Sequence, residues 1–216
     1  LGRTLERIAL EGHDGFYAGE TARLLVAEME REGGIITLED LVRYEARERT
    51  PVHGTYRGYD VISMPPPSSG GIAIVEMLNI LEGYDLAAMG HNSAEYVHHL
   101  VEAMRRAFRD RAQYVADMDF ADVPLHDLTS KDYAARVRSE IDGAAAGVSA
   151  PSDIARVYEP RETTHYSVVD GSGMAVSVTY TLEGGYGSGI TVPGAGFLLN
   201  NEMGDFNAGP GLTDAR

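Results

Sequence analysis

The chain contains no cysteine, and that one absence excludes disulfides, thiol nucleophiles and thiolate metal sites together. Lysine is nearly absent as well, Lys131 being the only one. At a formal net charge of -15 the chain lacks the clustered basic residues that phosphate binding needs. Nucleic acid and anionic membranes are therefore not expected partners. No apolar run approaches the roughly 20 residues that cross a bilayer, so no membrane span is expected in this segment. No N-terminal stretch has the basic-then-apolar layout of a signal peptide. The sequence opens at Leu1, directly in a helical pattern, and reads as a piece of a longer parent whose compartment it does not report.

What is present is an ordinary globular composition. Its 216 residues, 44% apolar and 24% charged, suffice for one sizeable core or two small ones. Residues 1 to about 140 carry helical periods. Residues from about 164 onward are rich in Val, Thr, Tyr and Gly, with strand and turn character. Between them, Gly143 to Glu162 is small and polar and reads as a flexible linker.

Within the first region, Glu20 to Arg31 has a helical period that Gly33-Gly34 stops. Thr37-Leu38-Glu39-Asp40 reads as an N-cap opening a short helix through Tyr44. Val52 to Met64 reads as a hairpin turning at Arg57-Gly58, and Pro65 to Gly71 breaks regular structure before a helix over Ile72 to Leu81. The longest helix is expected from Ser93 to Ala116, with Tyr96, Val97, Leu100, Val101, Met104, Ala107 and Phe108 as its apolar stripe. His98 and His99 on that helix read either as a metal pair or as part of a polar face. Adjacent residues point in different directions around a helix, which favours the polar face.

In the second region, His165 to Asp170 and Met174 to Leu182 read as antiparallel strands joined by a tight turn at Asp170-Gly171-Ser172-Gly173, with a fairly buried ladder. Gly184 to Gly189 is glycine-rich but lacks the Lys-Ser/Thr of a phosphate loop, and reads better as a flexible loop beside a pocket.

Two features bear on chemistry. Thr163 begins the first of these strands. If its amine were freed there, the hydroxyl would be a nucleophile and the α-amine, with an ordinary pKa of about 8, a base usable at neutral pH. Equally, Thr163 and Thr164 are good β-formers at a strand start. Glu183, Glu202 and Asp205 form a carboxylate set that could bind an ammonium group or a metal, or be solvated loop acids. Asn200-Asn201 between them suits a turn.

These residues also carry a resemblance. Thr163-Thr164-His165-Tyr166-Ser167-Val168-Val169-Asp170 resembles the start of the small subunit in the gamma-glutamyltransferase family. The likeness continues through Ala175 to Leu182, Gly187-Ser188-Gly189 and Leu198 to Phe206. Upstream, Met64-Pro65-Pro66-Pro67-Ser68-Ser69-Gly70-Gly71 resembles the family's large-subunit signature.

The resemblance implies an inactive precursor that cuts itself between Glu162 and Thr163. Residues 1–162 would then be the C-terminal part of a large subunit and residues 163–216 the N-terminal part of a small one, packed as one structural domain. The implied fold is α+β, part of the four-layer αββα sandwich of N-terminal nucleophile hydrolases. Thr163 is implied as the nucleophile, with Thr181 bonding it. Glu202 and Asp205 fall where a donor α-ammonium is held, and Glu183 stands beside them where many members carry Asn. Gly204 stands where Asp is common.

The implied donor is a γ-glutamyl compound such as glutathione, with water, an amino acid or a peptide as acceptor. No cofactor or metal is implied, and export to a periplasm or beyond the cell is a family-level expectation. The chain stops before the family's donor-binding serine pair and oxyanion-hole glycine pair, and starts after its carboxylate-clamping arginine. Removal of one oxyanion donor costs roughly 2.7–4 kcal/mol, so the 216 residues alone are expected to be almost inactive. Two other readings stand beside this one: a cephalosporin-acylase-like amidase with a different acyl donor, kept open by Glu183, and a non-catalytic scaffold remnant.

Overall fold

The computed structural model describes residues 1–148 and 163–205. Helices and two β-hairpins make an α+β chain, as the sequence indicates. The Glu162 side of the expected cleavage site and most of the expected linker lie outside the described residues. The chain divides into two compact units, Leu1–Arg47 with Tyr158–Gly204, and Glu48–Val157 with Asp205–Arg216.

The first unit opens with α1 (Gly2–Glu11), α2 (Asp14–Tyr17), α3 (Gly19–Glu32) and α4 (Leu38–Arg43). Gly33 ends α3 in the left-handed conformation at φ 75°, which glycine adopts without steric cost. Thr37 opens α4 with a reciprocal capping box. Its hydroxyl accepts from the Asp40 N–H, while the Asp40 carboxylate accepts from the Thr37 N–H. Ala22, Leu25 and Leu41 form a core with Val192 and Ala195, so the segment after the glycine-rich loop packs directly onto α3 and α4. The buried Thr4 hydroxyl donates to the Ala195 carbonyl at 2.9 Å.

The same unit carries the hairpin of β3 (Thr164–Val169) and β4 (Ala175–Tyr180). Its turn is held by Asp170, whose carboxylate accepts from the Ser172 N–H, the Ser172 hydroxyl and the Met174 N–H. The hairpin was expected to be fairly buried. Within these 216 residues β3 is exposed along its whole length and so is nearly all of β4, the two strands packing here chiefly on each other.

The second unit is built around α5 (Gly70–Leu81). A hairpin of β1 (Val52–Tyr56) and β2 (Tyr59–Ser63) packs on it, as do α7 (Ala94–Tyr114), α8 (Leu125–Leu128) and α9 (Lys131–Ser139); a short α6 (Leu86–Met89) lies against α7. Arg57 and Gly58 both take positive φ at the hairpin turn, as a two-residue turn requires. Val52, Ile72, Val75, Val123 and Leu128 make one apolar cluster, and Ile80, Leu81, Ala103, Ala134 and Val137 another.

Helix α7 departs from the expected stripe. Val97, Val101 and Met104 are exposed, and the buried face carries His99, Glu102, Ala103, Arg106, Ala107 and Asp110. Small alanines allow close helix approach, and the charged groups among them are paired. Glu102 accepts from Arg105, Arg106 and the Gly147 N–H, which hold its carboxyl well below the usual range against the cost of burial. Asp110 accepts from the Tyr133 hydroxyl of α9 and from Arg109. Beside it on α5 lies Glu76, which is fully buried.

Candidate active site at the start of the second hairpin

The β3–β4 ladder pairs Thr164 with Tyr180, His165 with Thr179 and Ser167 with Ser177. Thr163 and Thr181 are the residues next beyond the last pair of the ladder, Thr164 and Tyr180. Thr163 is exposed. The Thr181 hydroxyl oxygen accepts the N–H of Glu183 at 2.9 Å.

Glu183 follows immediately in a left-handed conformation, φ 71°, which is uncommon for a residue with a side chain. It is 6% exposed, and its Oε2 has no hydrogen-bond partner among the described residues. A buried carboxylate oxygen without a donor carries a desolvation cost that a cationic group would relieve.

The glycine-rich loop is a docked turn and not the flexible loop its composition suggested. Asn201 clamps both sides of Glu183: its N–H donates to the Leu182 carbonyl at 3.1 Å, and its side-chain oxygen accepts from the Gly184 N–H at 3.0 Å. Ser188 donates to the Leu199 carbonyl through both its N–H and its hydroxyl. Gly187 sits so close that an added Cβ would lie 2.1 Å from the Leu199 oxygen. Next, the Asn200 side chain accepts from the Glu202 N–H and so starts the 3₁₀ turn Glu202–Asp205. The Glu183 and Glu202 segments are thereby bonded side by side, and Asp205 closes the turn that Glu202 begins.

The histidine pair on α7 is not arranged as a metal site. His98 contacts the Asp142 carbonyl at 2.8 Å and His99 the Glu95 carbonyl at 2.8 Å, so each ring is engaged with backbone. Among the described residues no group of three or more His, Asp or Glu side chains is placed to hold a metal ion. No helix of the described residues is long and apolar enough to cross a membrane.

A profile of the gamma-glutamyltranspeptidase family matches residues 1–216. The chain belongs to that family. It is 51% identical over 215 residues to the glutathione hydrolase proenzyme of Pseudomonas sp. (strain A14), covering 98% of this chain and 37% of that protein. The chain therefore spans little more than a third of the length of such a relative. Among solved structures, the gamma-glutamyltranspeptidase of Helicobacter pylori is 44% identical at a TM-score of 0.65, covering 67% of this chain and 41% of that one. The cephalosporin acylase of Bacillus halodurans is 30% identical at a TM-score of 0.79, covering 99% of this chain and 38% of that one. These likenesses give the chain part of the αββα fold of N-terminal nucleophile hydrolases, as the sequence resemblance implied.

Two features of the chain escaped the sequence reading. One is the clamp that Asn201 makes around Glu183. The other is a hydrogen-bonded face on the hairpin, where His165 contacts Thr179 and Ser177. The alternation of polar residues at 165, 167, 177 and 179 is the signal that could have found it.

Proposed function

We propose that these residues form part of a precursor that cleaves itself between Glu162 and Thr163 and then transfers or hydrolyses γ-glutamyl groups. The observation that supports the reading is the hairpin register, whose last pair, Thr164 and Tyr180, is followed directly by Thr163 and Thr181, with the Thr181 oxygen accepting from Glu183. In maturation, Thr163 Oγ attacks the Glu162 carbonyl carbon. The C–N bond breaks as an ester forms, the threonine amine takes a proton, and water then hydrolyses the ester to leave a Glu162 carboxylate and a free N-terminal Thr163. The cut divides the chain into its large-subunit part, 1–162, and its small-subunit part, 163–216.

In turnover, the freed α-amine takes the hydroxyl proton as Thr163 attacks the γ-amide carbon of a donor such as glutathione. Thr181 donates a hydrogen bond to the reacting oxygen. The leaving amine departs with a proton, and water, an amino acid or a peptide amine resolves the ester. Glu183, Glu202 and Asp205 hold the donor α-ammonium by charge-assisted hydrogen bonds. The glutathione hydrolase name of the Pseudomonas relative supports this donor class.

A second reading has its own support. The cephalosporin acylase likeness extends over 99% of the chain, and the buried Glu183 allows for a different acyl group. Turnover of γ-glutamyl-p-nitroanilide against glutaryl-p-nitroanilide by the mature full-length protein separates the two. Preference for the γ-glutamyl compound supports the transferase reading. Preference for the glutaryl compound, which lacks the ammonium group, removes it in favour of the acylase.

A further inference from the structure

Asn201 bonds to the chain on both sides of Glu183 and to the turn beyond. Its N–H donates to the Leu182 carbonyl at 3.1 Å, and its side-chain oxygen accepts from the Gly184 N–H at 3.0 Å. These two bonds bracket Glu183. Its carbonyl accepts from the Gly204 N–H at 2.9 Å, inside the 3₁₀ turn that Glu202 begins. Between the brackets, the Glu183 N–H donates to the Thr181 hydroxyl oxygen.

Glu183 needs this bracketing. A residue with a Cβ is disfavoured at φ 71°, and left to itself it relaxes to negative φ. Its conformation is the relation between two peptide planes, the one before it and the one after it. Thr181 holds the first plane through the Glu183 N–H, and the Asn201 side chain holds the second through the Gly184 N–H. With both planes fixed, the Cα–Cβ bond of Glu183 is fixed, and with it the direction in which the carboxylate leaves the chain.

We propose that Asn201 is a positioning residue whose side chain keeps Glu183 left-handed and so aims its carboxylate at the donor ammonium. The proposal rests on the reading of Glu183 as a donor-binding acid. Of the three Asn201 bonds only the one to Gly184 uses the side chain. Asn201→Ala therefore keeps both backbone bonds, and with them the pairing of the two segments and the 3₁₀ turn. It releases the peptide after Glu183 alone.

The test uses the full-length precursor and its mature form. Asn201→Ala, Glu183→Gln and the double variant are compared with wild type on γ-glutamyl-p-nitroanilide and glutaryl-p-nitroanilide. Loss of one ordinary hydrogen bond corresponds to a roughly two- to tenfold change in an equilibrium. KM for the γ-glutamyl compound should rise by about that factor in Asn201→Ala, with kcat little changed. KM for the glutaryl compound, which has no ammonium group, should stay as in wild type. In the Glu183→Gln background the same substitution should add almost nothing, because the charge it aims is already gone. Self-cleavage, followed by intact mass, should proceed as in wild type, since it uses no donor.

A wild-type KM in folded Asn201→Ala would overturn the proposal. So would an equal rise for both donors, an effect that adds fully to that of Glu183→Gln, or a loss of self-cleavage, each of which marks a general structural role. If Asn201→Ala does not fold, Asn201→Ser, whose oxygen is one bond nearer the backbone, carries the test by the same criteria. Failure of both to fold also assigns the residue to the fold and removes the proposal. An unchanged γ-glutamyl KM in Glu183→Gln overturns the reading beneath as well. A raised KM there with none in Asn201→Ala removes the proposal alone.

Discussion

Thr163 and Thr181 each lie one residue beyond Thr164 and Tyr180, the last paired residues of the hairpin. Thr181 also accepts the Glu183 N–H. That relationship brings the proposed nucleophile, the proposed activating hydroxyl and the proposed donor-binding acid close together in the chain.

The relationship predicts that Thr181→Val slows both self-cleavage and turnover. General acid–base assistance is typically worth 10²–10⁴-fold, and a hydroxyl donating one hydrogen bond belongs near the lower end. We expect a loss of roughly 10²-fold in kcat, with Thr181→Ser retaining most of the activity. Steady-state kinetics with γ-glutamyl-p-nitroanilide measure it.

Glu183 carries the donor prediction. In Glu183→Gln the left-handed backbone and the Asn201 clamp can persist, since neither uses the carboxylate. What is lost is a charge. A hydrogen bond to a charged group contributes about 1.5–3 kcal/mol, so KM for a γ-glutamyl donor should rise roughly tenfold or more. Glutaryl anilide, with no ammonium group, should show no such rise. Equal changes for the two donors would mean that Glu183 does not bind the ammonium.

Gly187 predicts a steric effect. At φ 57° with the Leu199 oxygen 2.1 Å from the site of an added Cβ, Gly187→Ala must displace backbone. Strain of this kind costs on the order of 1–3 kcal/mol. The variant should melt lower than wild type by differential scanning calorimetry and lose activity, because the displaced loop carries Glu183.

Several elements were legible because local rules decide them. The Thr37–Asp40 capping box, the Gly33 stop and the Arg57-Gly58 and Asp170-Gly173 turns each depend on residues within a few positions of one another. The buried face of α7 was not legible. Glu102 and Asp110 are buried on the strength of partners that include Gly147 and Tyr133, far along the chain, and no helical period announces such pairing. At the candidate site, pattern alone left Thr163 as either nucleophile or strand former, and the resemblance favoured the first. The Asn201 clamp was hidden because a pair of asparagines reads equally well as a turn.

Glu76 predicts a pH dependence of stability. Burial, and secondarily the charge of Asp110, push its carboxyl up to about 9. The groups facing it are Asp110 and Arg109 from α7 and Tyr133 from α9, whereas His53, Asp60, His126 and Asp127 on the other elements packed against α5 are solvent-exposed. A folded-state pKa above the unfolded value means that the folded form binds the proton more tightly. Its contribution is therefore fully present below about 4.5 and is lost as pH rises toward 9. The unfolding free energy of the precursor should fall over that interval, with a slope from this group of at most about 1.4 kcal/mol per pH unit, and the melting temperature should fall with it. Glu76→Gln should flatten the fall, and an unchanged slope would contradict the assignment.

The most direct test of the central claim is the intact mass of the full-length precursor under denaturing conditions, beside its Thr163→Ala form. The account predicts two fragments from the wild type, the smaller beginning at Thr163, and one uncut chain from the variant. A folded wild-type chain that remains uncut, or a variant that still cuts at Glu162, would contradict it.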